Sequence, residues 1–387
     1  MAQQRLGIIM NGVTGRMGMN QHLIRSICAI RDQGGVALKN GDRVMPDPIL
    51  VGRSADRLQK LAKAHGITRW TTDLDKALKD KKDTLFFDAA TTQLRAELLQ
   101  KAMKAGKDIY CEKPVSETLK DALDLVRVAK KAGVKHGVVQ DKLFLPGLLK
   151  LKVLLDSSFF GRLLSVRGEF GYWVFEGDWQ PAQRPAWNYK KAEGGGMILD
   201  MMCHWRYVLD NLFGEVQSIT CLGATHIDRR WDEAGKPYAA SADDAAYATA
   251  QLKGHNGEPV IAQLTMSWAT RVRRDDLVTF HVDGTHGSAV AGLQKCWSQQ
   301  RVNTPRPVWN PDVKQTMNFF DQWQDVPDAQ SYDNGFKIQW EAFIRHVVED
   351  APYRWTLSEG AKGVQLVEAA LASWKERRWI DVPALSL

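Results

Sequence analysis

Apolar positions in the first third of the chain fall into short unbroken runs separated by stretches with helical spacing. Leu6 to Met10 is such a run, and through Asn11-Gly12-Val13-Thr14-Gly15-Arg16-Met17-Gly18 it leads into Met19 to Ile30, where apolar residues recur on one helical face. Strand, glycine turn and helix are the elements predicted. The pattern repeats: Pro48 to Val51 reads as a strand and Ala55 to His65 as a helix ended by Gly66. A brief strand near Arg69 to Thr71 precedes a fourth at Thr84 to Ala90, then a helix from Leu94 to Ala105 with Gly106 at its end. Asp108 to Cys111, Thr118 to Ala132 closed by Gly133, and His136 to Gln140 complete a strict alternation with short links, which predicts a parallel doubly wound sheet.

The grammar changes after Pro146. Leu148 to Leu155 continues as a helix, but Arg162 to Trp173, Val216 to Cys221, Ala245 to Leu252, Val260 to Trp268 and Leu277 to Val282 read as strands with no helices between them. They predict a largely antiparallel sheet open on one face. An irregular segment rich in Trp, Pro and Gln runs from about Gln294 to Ser331, and two helices follow, Gly335 to Glu349 and Ser358 to Arg377. The fold class is therefore α/β followed by α+β, with domains expected at 1–143 and 144–387. No internal repeat is visible.

Bulk properties narrow this picture modestly. A chain of 387 residues with 44% apolar content can fill two cores. Lys and Arg number 52 against 45 Asp and Glu, a net +7 that suits an anionic ligand without the basic, aromatic-interleaved stripe of a nucleic-acid binder. Five cysteines, Cys28, Cys111, Cys203, Cys221 and Cys296, are dispersed with no Cys-x-x-Cys pair, so neither a disulfide frame nor a metal site is signalled. No signal-peptide pattern opens the chain and no apolar run nears the roughly twenty residues of a membrane span, so a cytoplasmic protein is expected.

Gly12, Gly15 and Gly18 are spaced three apart after a strand and at the opening of a helix, where backbone amides must approach a pyrophosphate and the helix must lie close to the sheet. The end of the second strand separates NAD from NADP, because a carboxylate there accepts from the free ribose hydroxyls. Here the residues are Val51-Gly52-Arg53-Ser54. A guanidinium and a hydroxyl suit a 2'-phosphate, so NADP is favoured over NAD, although Ser54 is also well placed simply to cap a helix.

Proton chemistry has two candidate sources. Lys113, in Cys111-Glu112-Lys113-Pro114, sits at the C-terminal end of a strand, where a doubly wound sheet binds ligands, and the proline that follows permits a cis bond. Asp200 and His204 lie four apart in an otherwise apolar stretch after Gly194-Gly195-Gly196, so a helix puts them on one face. The three glycines allow close approach by backbone or ligand; a carboxylate orienting an imidazole can make an acid-base unit, and a core histidine capped by a nearby aspartate would show the same spacing.

Gly12-x-x-Gly15-x-x-Gly18, the run Ala102 to Pro114 with Glu112-Lys113-Pro114, and Gly194-Gly195-Gly196 through Asp200 to His204 together resemble the Gfo/Idh/MocA oxidoreductases along nearly the whole chain. The resemblance implies an N-terminal Rossmann domain and a C-terminal substrate-binding domain whose open sheet forms a homodimer or homotetramer. It implies hydride exchange between a nicotinamide and a hydroxyl or ketone of a sugar, cyclitol or glycoside. By analogy Lys113 polarises the reacting hydroxyl, His204 exchanges its proton, and Asp200 fixes substrate and histidine, so that all three converge beside the nicotinamide. Thr14, Arg16 and Met17 in the loop, Ala89 to Thr92 (Ala90, Thr91 and Thr92 foremost) and Glu112 would line the cofactor. Two departures stand out. Gln140-Asp141-Lys142 replaces an arginine that many relatives carry, making Lys142 a substitute cation. The stretch Tyr172 to Trp187 is rich in aromatics, so Trp179 and Trp187, with Arg184 among them, are candidate sugar contacts. Two other activities would use the same scaffold: a lyase or glycosidase that oxidises transiently with a retained nicotinamide, and a non-catalytic dinucleotide sensor. The loop Gly12 to Gly18 also resembles that of dihydrodipicolinate reductases, but no paired histidines follow.

Overall fold

The computed structural model describes residues 2–386 and divides into two compact units. The first comprises the chain through Phe144, together with Asp333–Glu368 and the residues from Ala384. The second comprises Leu145–Tyr332 and Ala369–Pro383. The sequence had assigned everything from 144 onward to one domain, but Asp333–Glu368 belongs to the first unit. Trp340, Phe343 and Ile344 are buried in one face of its core and Leu357, Ala361 and Val364 in the other. Periodicity identifies a helix; it does not say which sheet receives its apolar face.

In the first unit β1 (Gln3–Asn11) lies between β3 (Arg43–Val51) and β5 (Asp83–Asp88), all parallel. With β2 (Val36–Ala37), β4 (Trp70–Thr71), β6 (Asp108–Cys111) and β7 (His136–Val138) the order is β2-β3-β1-β5-β6-β7, and β4 pairs with β3. Successive β1 side chains alternate between two cores: Ile8 and Met10 pack with Leu23, Ile27 and Phe87, and Ile9 with Phe86, Leu99 and Leu125. Connections leave β1 toward β3 on one side and β5 on the other, so Asn11 stands opposite both Val51 and Asp88 at the switch point where such sheets bind ligands.

β3 begins five residues before its expected start and contains Pro46 and Pro48. Leu50 donates to the carbonyl of Arg69 on the outer side of the strand, 3.0 Å away, and the two prolines share its parity. Their missing N–H groups therefore point to the edge rather than to β1, and Arg31 there reaches the Pro46 carbonyl at 2.9 Å. The helix after the glycine turn also differs from a simple expectation, since Gly18–Cys28 winds as a wide π-helix before an α-helical turn at Ala29–Asp32.

The second unit contains β8 (Leu163–Gly171), β9 (Glu215–Ala224), the small β10–β11 ribbon (Arg229–Trp231, Pro237–Ala239), β12 (Ala245–Lys253), β13 (Pro259–Ser267), β14 (Val278–Gly284), β15 (Gly287–Ala291), β16 (Cys296–Gln300), β17 (Gln324–Asp325) and β18 (Ile380–Asp381). Nine of these form one sheet in the order β17-β16-β15-β14-β8-β13-β12-β9-β18, antiparallel except where β13 runs parallel to β8. β16 and β17 fall in the segment expected to be irregular. The Met197–Leu212 helix covers one face, with Trp205 packed edge-on to Phe280. Leu164, Leu222, Tyr247 and Ile261 remain exposed on the sheet. No helix among the described residues is long and apolar enough to cross a membrane.

Candidate active-site elements

The glycine turn is shaped by backbone contact. Gly12 has φ +79°, and a Cβ there would lie 2.5 Å from the carbonyl carbon of Ala89; a Cβ on Gly18 would lie 2.5 Å from the Gly12 carbonyl oxygen. These two glycines let β1, the turn and the following helix close upon one another. Gly15 differs, because a Cβ there meets only the Gly12 oxygen at 3.4 Å, and Gly15, Arg16 and Met17 are exposed. That exposed crest suits a pyrophosphate, so the turn fits a dinucleotide. The Thr14 side chain lies over Gly52, within 3.7 Å of a Cβ built there, which joins the turn to the end of β3. Arg53 is exposed, and Ser54 caps the Ala55–Ala64 helix by accepting from the Arg57 amide at 3.4 Å.

Behind the turn lies a buried charge network that sequence reasoning missed. Asn11 donates to Asp88 Oδ1 at 2.8 Å, and Arg95 Nε donates to Asp88 Oδ2 at 3.0 Å. The remaining Arg95 nitrogens reach the Ala90 carbonyl at 2.6 Å and the Pro114 carbonyl. One guanidinium, almost fully buried, thus ties together the ends of β1, β5 and the Lys113-Pro114 turn, whose peptide bond is cis. Thr91 is the N-cap residue of the Thr92–Lys104 helix that carries Arg95. Lys113 is half-buried, and its backbone amide donates to Glu112 Oε2 at 3.0 Å. Burial pushes the Glu112 carboxyl up, but the hydrogen bond from His22 and the charges of Lys113 and Arg95 outweigh it and hold the group below the usual carboxylate range. The only sequence signal for this network was an arginine at an otherwise core-facing helical position.

In the second unit the glycine triplet resolves in favour of close backbone approach. A Cβ on Gly195 would lie 2.4 Å from the carbonyls of Trp187 and Asn188, and Gly196, at φ +133°, would press a Cβ to 2.7 Å from Asp243 Oδ1. Asp243 needs that space because its carboxylate accepts from the Ile198 amide at 2.7 Å while its carbonyl accepts from Met197 at 2.9 Å. It thereby satisfies the first turn of the Met197–Leu212 helix. Burial raises its pKa, with the Ile198 amide pulling the other way.

That helix carries Asp200 and His204. Arg184 donates to Asp200 Oδ2 at 3.0 Å and to Asn188 Oδ1 at 3.2 Å, and its guanidinium stacks 4.2 Å from the centre of the Trp268 ring. Burial disfavours the Arg184 charge, yet Asp200 beside it more than restores it. His204 is buried and its Nδ1 shares a 2.7 Å hydrogen bond with the Tyr207 hydroxyl. Tyr207 was missed, although its position three residues past His204 was a readable signal. Trp268 and Asn188 had none.

The other predicted contacts are distributed unevenly. Lys142, in the first unit, pairs with its neighbour Asp141 at 2.5 Å. Trp179 and Trp187, in the second, are 69% and 48% exposed, and Trp179 meets Phe175 edge-on. Burial raises the thiols of Cys111, Cys221 and Cys296, the last two to about 12, which makes them inert. No cluster able to hold a metal ion occurs among the described residues.

Comparison with known proteins agrees with these features. Residues 42–140 match a model described as "Oxidoreductase family, NAD-binding Rossmann fold", and residues 148–290 match a "GFO/IDH/MocA C-terminal domain". A D-xylose dehydrogenase of Paenarthrobacter nicotinovorans is 57% identical over 380 residues, 98% of each chain. A levoglucosan dehydrogenase of Pseudarthrobacter phenanthrenivorans is 23% identical over 351 residues, 84% of this chain and 86% of the relative. A solved levoglucosan dehydrogenase in complex with NADH has the same fold, with a TM-score of 0.78 at 19% identity over 99% of this chain and 100% of that one.

Proposed function

The chain belongs to the GFO/IDH/MocA oxidoreductases, and from that membership we propose that it oxidises D-xylose, with NADP preferred over NAD. As a member it is a nicotinamide-dependent oxidoreductase acting on a sugar hydroxyl; the proposal concerns the sugar, the form of the cofactor and the residues that do the work. The sugar rests on one observation, identity of 57% to a D-xylose dehydrogenase across 98% of both chains. The cofactor preference rests on exposed Arg53 beside Ser54, where no carboxylate stands to repel a 2'-phosphate.

Gly12 to Gly18, with Thr14, Arg16 and Met17, cradle the phosphates; Gly52, Arg53 and Ser54 lie toward the adenosine ribose; Ala90, Thr91, Thr92 and Glu112 line the nicotinamide end. Bound nicotinamide supplies the acceptor for the hydride. Lys113 donates a hydrogen bond to the reacting hydroxyl oxygen and stabilises negative charge as it develops there. His204 takes the hydroxyl proton, with Tyr207 on Nδ1 setting the ring's orientation. Asp200, aimed by Arg184, accepts from sugar hydroxyls, and Lys142, Trp179 and Trp187 complete the sugar's surroundings. The exposed sheet face with Leu164, Leu222, Tyr247 and Ile261 buries itself in a homodimer or homotetramer.

A panel of pentoses, hexoses, polyols and glycosides assayed with both dinucleotides tests the assignment. D-xylose should lead, and NADP should exceed NAD by at least tenfold in kcat/KM, about 1.4 kcal/mol. Lys113→Ala and His204→Ala should lose turnover by 10²-fold or more, on the order of what acid-base groups contribute, while binding NADPH nearly as tightly. Retained turnover in either variant overturns its role. Conversion of a sugar with no net reduction of added dinucleotide would turn the reading toward the transient-oxidation lyase.

A further inference from the structure

Trp340, His22 and Glu112 form a buried chain that ends on the backbone of Lys113. Trp340 Nε1 lies 3.0 Å from His22 Nδ1, His22 Nε2 lies 2.7 Å from Glu112 Oε1, and Glu112 Oε2 accepts the Lys113 amide at 3.0 Å. Trp340 and His22 are fully buried, with the imidazole 4.4 Å from the Phe87 ring and 5.2 Å from Phe336.

Donor and acceptor chemistry fixes the protons along this chain. An indole N–H can only donate, so His22 Nδ1 must accept and the ring's proton sits on Nε2. That proton points at Glu112, which must then be a carboxylate, free to accept from the Lys113 amide on its other oxygen. Protonating Nδ1 would break the Trp340 bond, because it sets one N–H donor against another. The tautomer is thus assigned by the hydrogen-bond network, and only one arrangement satisfies every member. On the far side of Lys113, Arg95 holds the Pro114 carbonyl. The stretch from which the Lys113 side chain projects is therefore gripped before and after by partly buried, charge-assisted hydrogen bonds.

We propose that Trp340 and His22 are positioning residues for Lys113, acting through Glu112: a neutral imidazole, its tautomer set by an indole from the C-terminal third of the chain, fixes the carboxylate that holds the lysine's backbone. The proposal rests on the reading of Lys113 as the group that polarises the hydroxyl. Its physical reason is that displacement of a catalytic group by about 1 Å can cost on the order of 10²-fold in rate, so an anchor far from the chemistry can govern kcat.

Three variants and one direct observation test it. His22→Gln keeps an acceptor for Trp340 and a donor for Glu112, whereas His22→Phe removes both and Trp340→Phe removes the first donor. At saturating D-xylose and NADP, His22→Phe and Trp340→Phe should lower kcat about 10- to 100-fold while the Kd for NADPH stays within about threefold, and His22→Gln should recover most of the loss. Equal loss in His22→Gln and His22→Phe, or full kcat in His22→Phe, overturns the proposal. In protein labelled with ¹⁵N-histidine, and assigned by its disappearance in His22→Gln, the His22 ring should show a protonated Nε2 and an unprotonated Nδ1 at pH 8. A doubly protonated ring or the other tautomer overturns the chain, in wild-type protein, whatever Lys113 does. Full turnover in Lys113→Ala, alongside the expected tautomer, instead removes the role given to Lys113 and with it the positioning function.

Discussion

The two units hold their chemistry-bearing groups by different means. In the first, Lys113 rises from a turn whose surroundings are buried and charged: Arg95 on Asp88 and two carbonyls on one side, His22 on Glu112 on the other. In the second, Asp200 sits on a helix face and its partner Arg184 comes from a partly exposed aromatic stretch, with a tryptophan face as support. Both use an arginine–aspartate pair, but the first pair is sealed from solvent and the second is not. Burial decides what such a pair does. A sealed pair is part of the architecture, because removing one partner strands the other; a wetter pair can lose a member cheaply and mainly misplaces the group it aims.

Substituting each arginine tests that contrast. Arg95→Leu leaves Asp88 buried without its counter-charge and should destabilise the protein by about 3–5 kcal/mol in urea unfolding. Arg184→Met keeps an unbranched stem but removes the guanidinium from Asp200 and from the Trp268 ring; it should cost no more than about 1 kcal/mol of stability, while kcat/KM for D-xylose falls about 10- to 100-fold and NADPH affinity holds. If Arg184→Met destabilises as much as Arg95→Leu, the distinction between a structural and an aiming pair fails.

A smaller effect should appear in acid. Glu112 has its pKa depressed in the folded chain below the ordinary value of 4.5, so its interactions stabilise the native state above that pH and are lost as pH falls through and below it. Hydrogen bonds to a buried carboxylate are worth roughly 1.5–3 kcal/mol, so wild type should exceed Glu112→Gln by about that amount at pH 6 and converge on it as pH falls from 4.5 to about 2. Parallel stability curves over that range would show that Glu112 gains nothing from His22 and the Lys113 amide.

The same contrast explains what the sequence made legible. Alternating apolar runs and helical spacing located most strands and helices of the first unit, though not β2 or the Leu74–Lys79 helix, because β1 and its neighbours bury both faces, and the glycine spacing located the turn because Gly12 and Gly18 tolerate no side chain. Glu112, Lys113, Asp200 and His204 were singled out through resemblance. Arg95 left only the trace of an arginine at a core-facing helical position, and His22 and Trp340 left none, because each looks locally like an ordinary residue of an amphipathic helix and acquires its meaning from a partner 318 residues away. The placement of the Gly335–Glu349 helix was hidden for the same reason. The glycine triplet pointed correctly to a close approach but not to its object; Asp243, 47 positions beyond Gly196, is fixed by the helix start it caps and not by local pattern.

The smallest effect concerns the two exposed tryptophans, whose side chains look interchangeable by exposure but differ in backbone support. Trp187 opens into solvent from a short 3₁₀ turn, Ala186–Tyr189, whose carbonyls at Trp187 and Asn188 press upon Gly195 directly before the helix that carries Asp200. Its backbone is therefore held in register with the Asp200 helix. Trp179 lies in a stretch without regular structure and touches Phe175 only edge-on. A pentose offers one small apolar face, and an aromatic contact to it contributes about 0.5–1.5 kcal/mol, so Trp187→Ala should raise KM for D-xylose by roughly two- to tenfold with kcat little changed. Trp179→Ala should change KM by less than twofold, because ordering a loosely held ring would offset most of what the stack contributes. Equal penalties for the two would mean that exposure alone governs sugar contact, and that the tight Gly195 packing does not transmit its order to the ring.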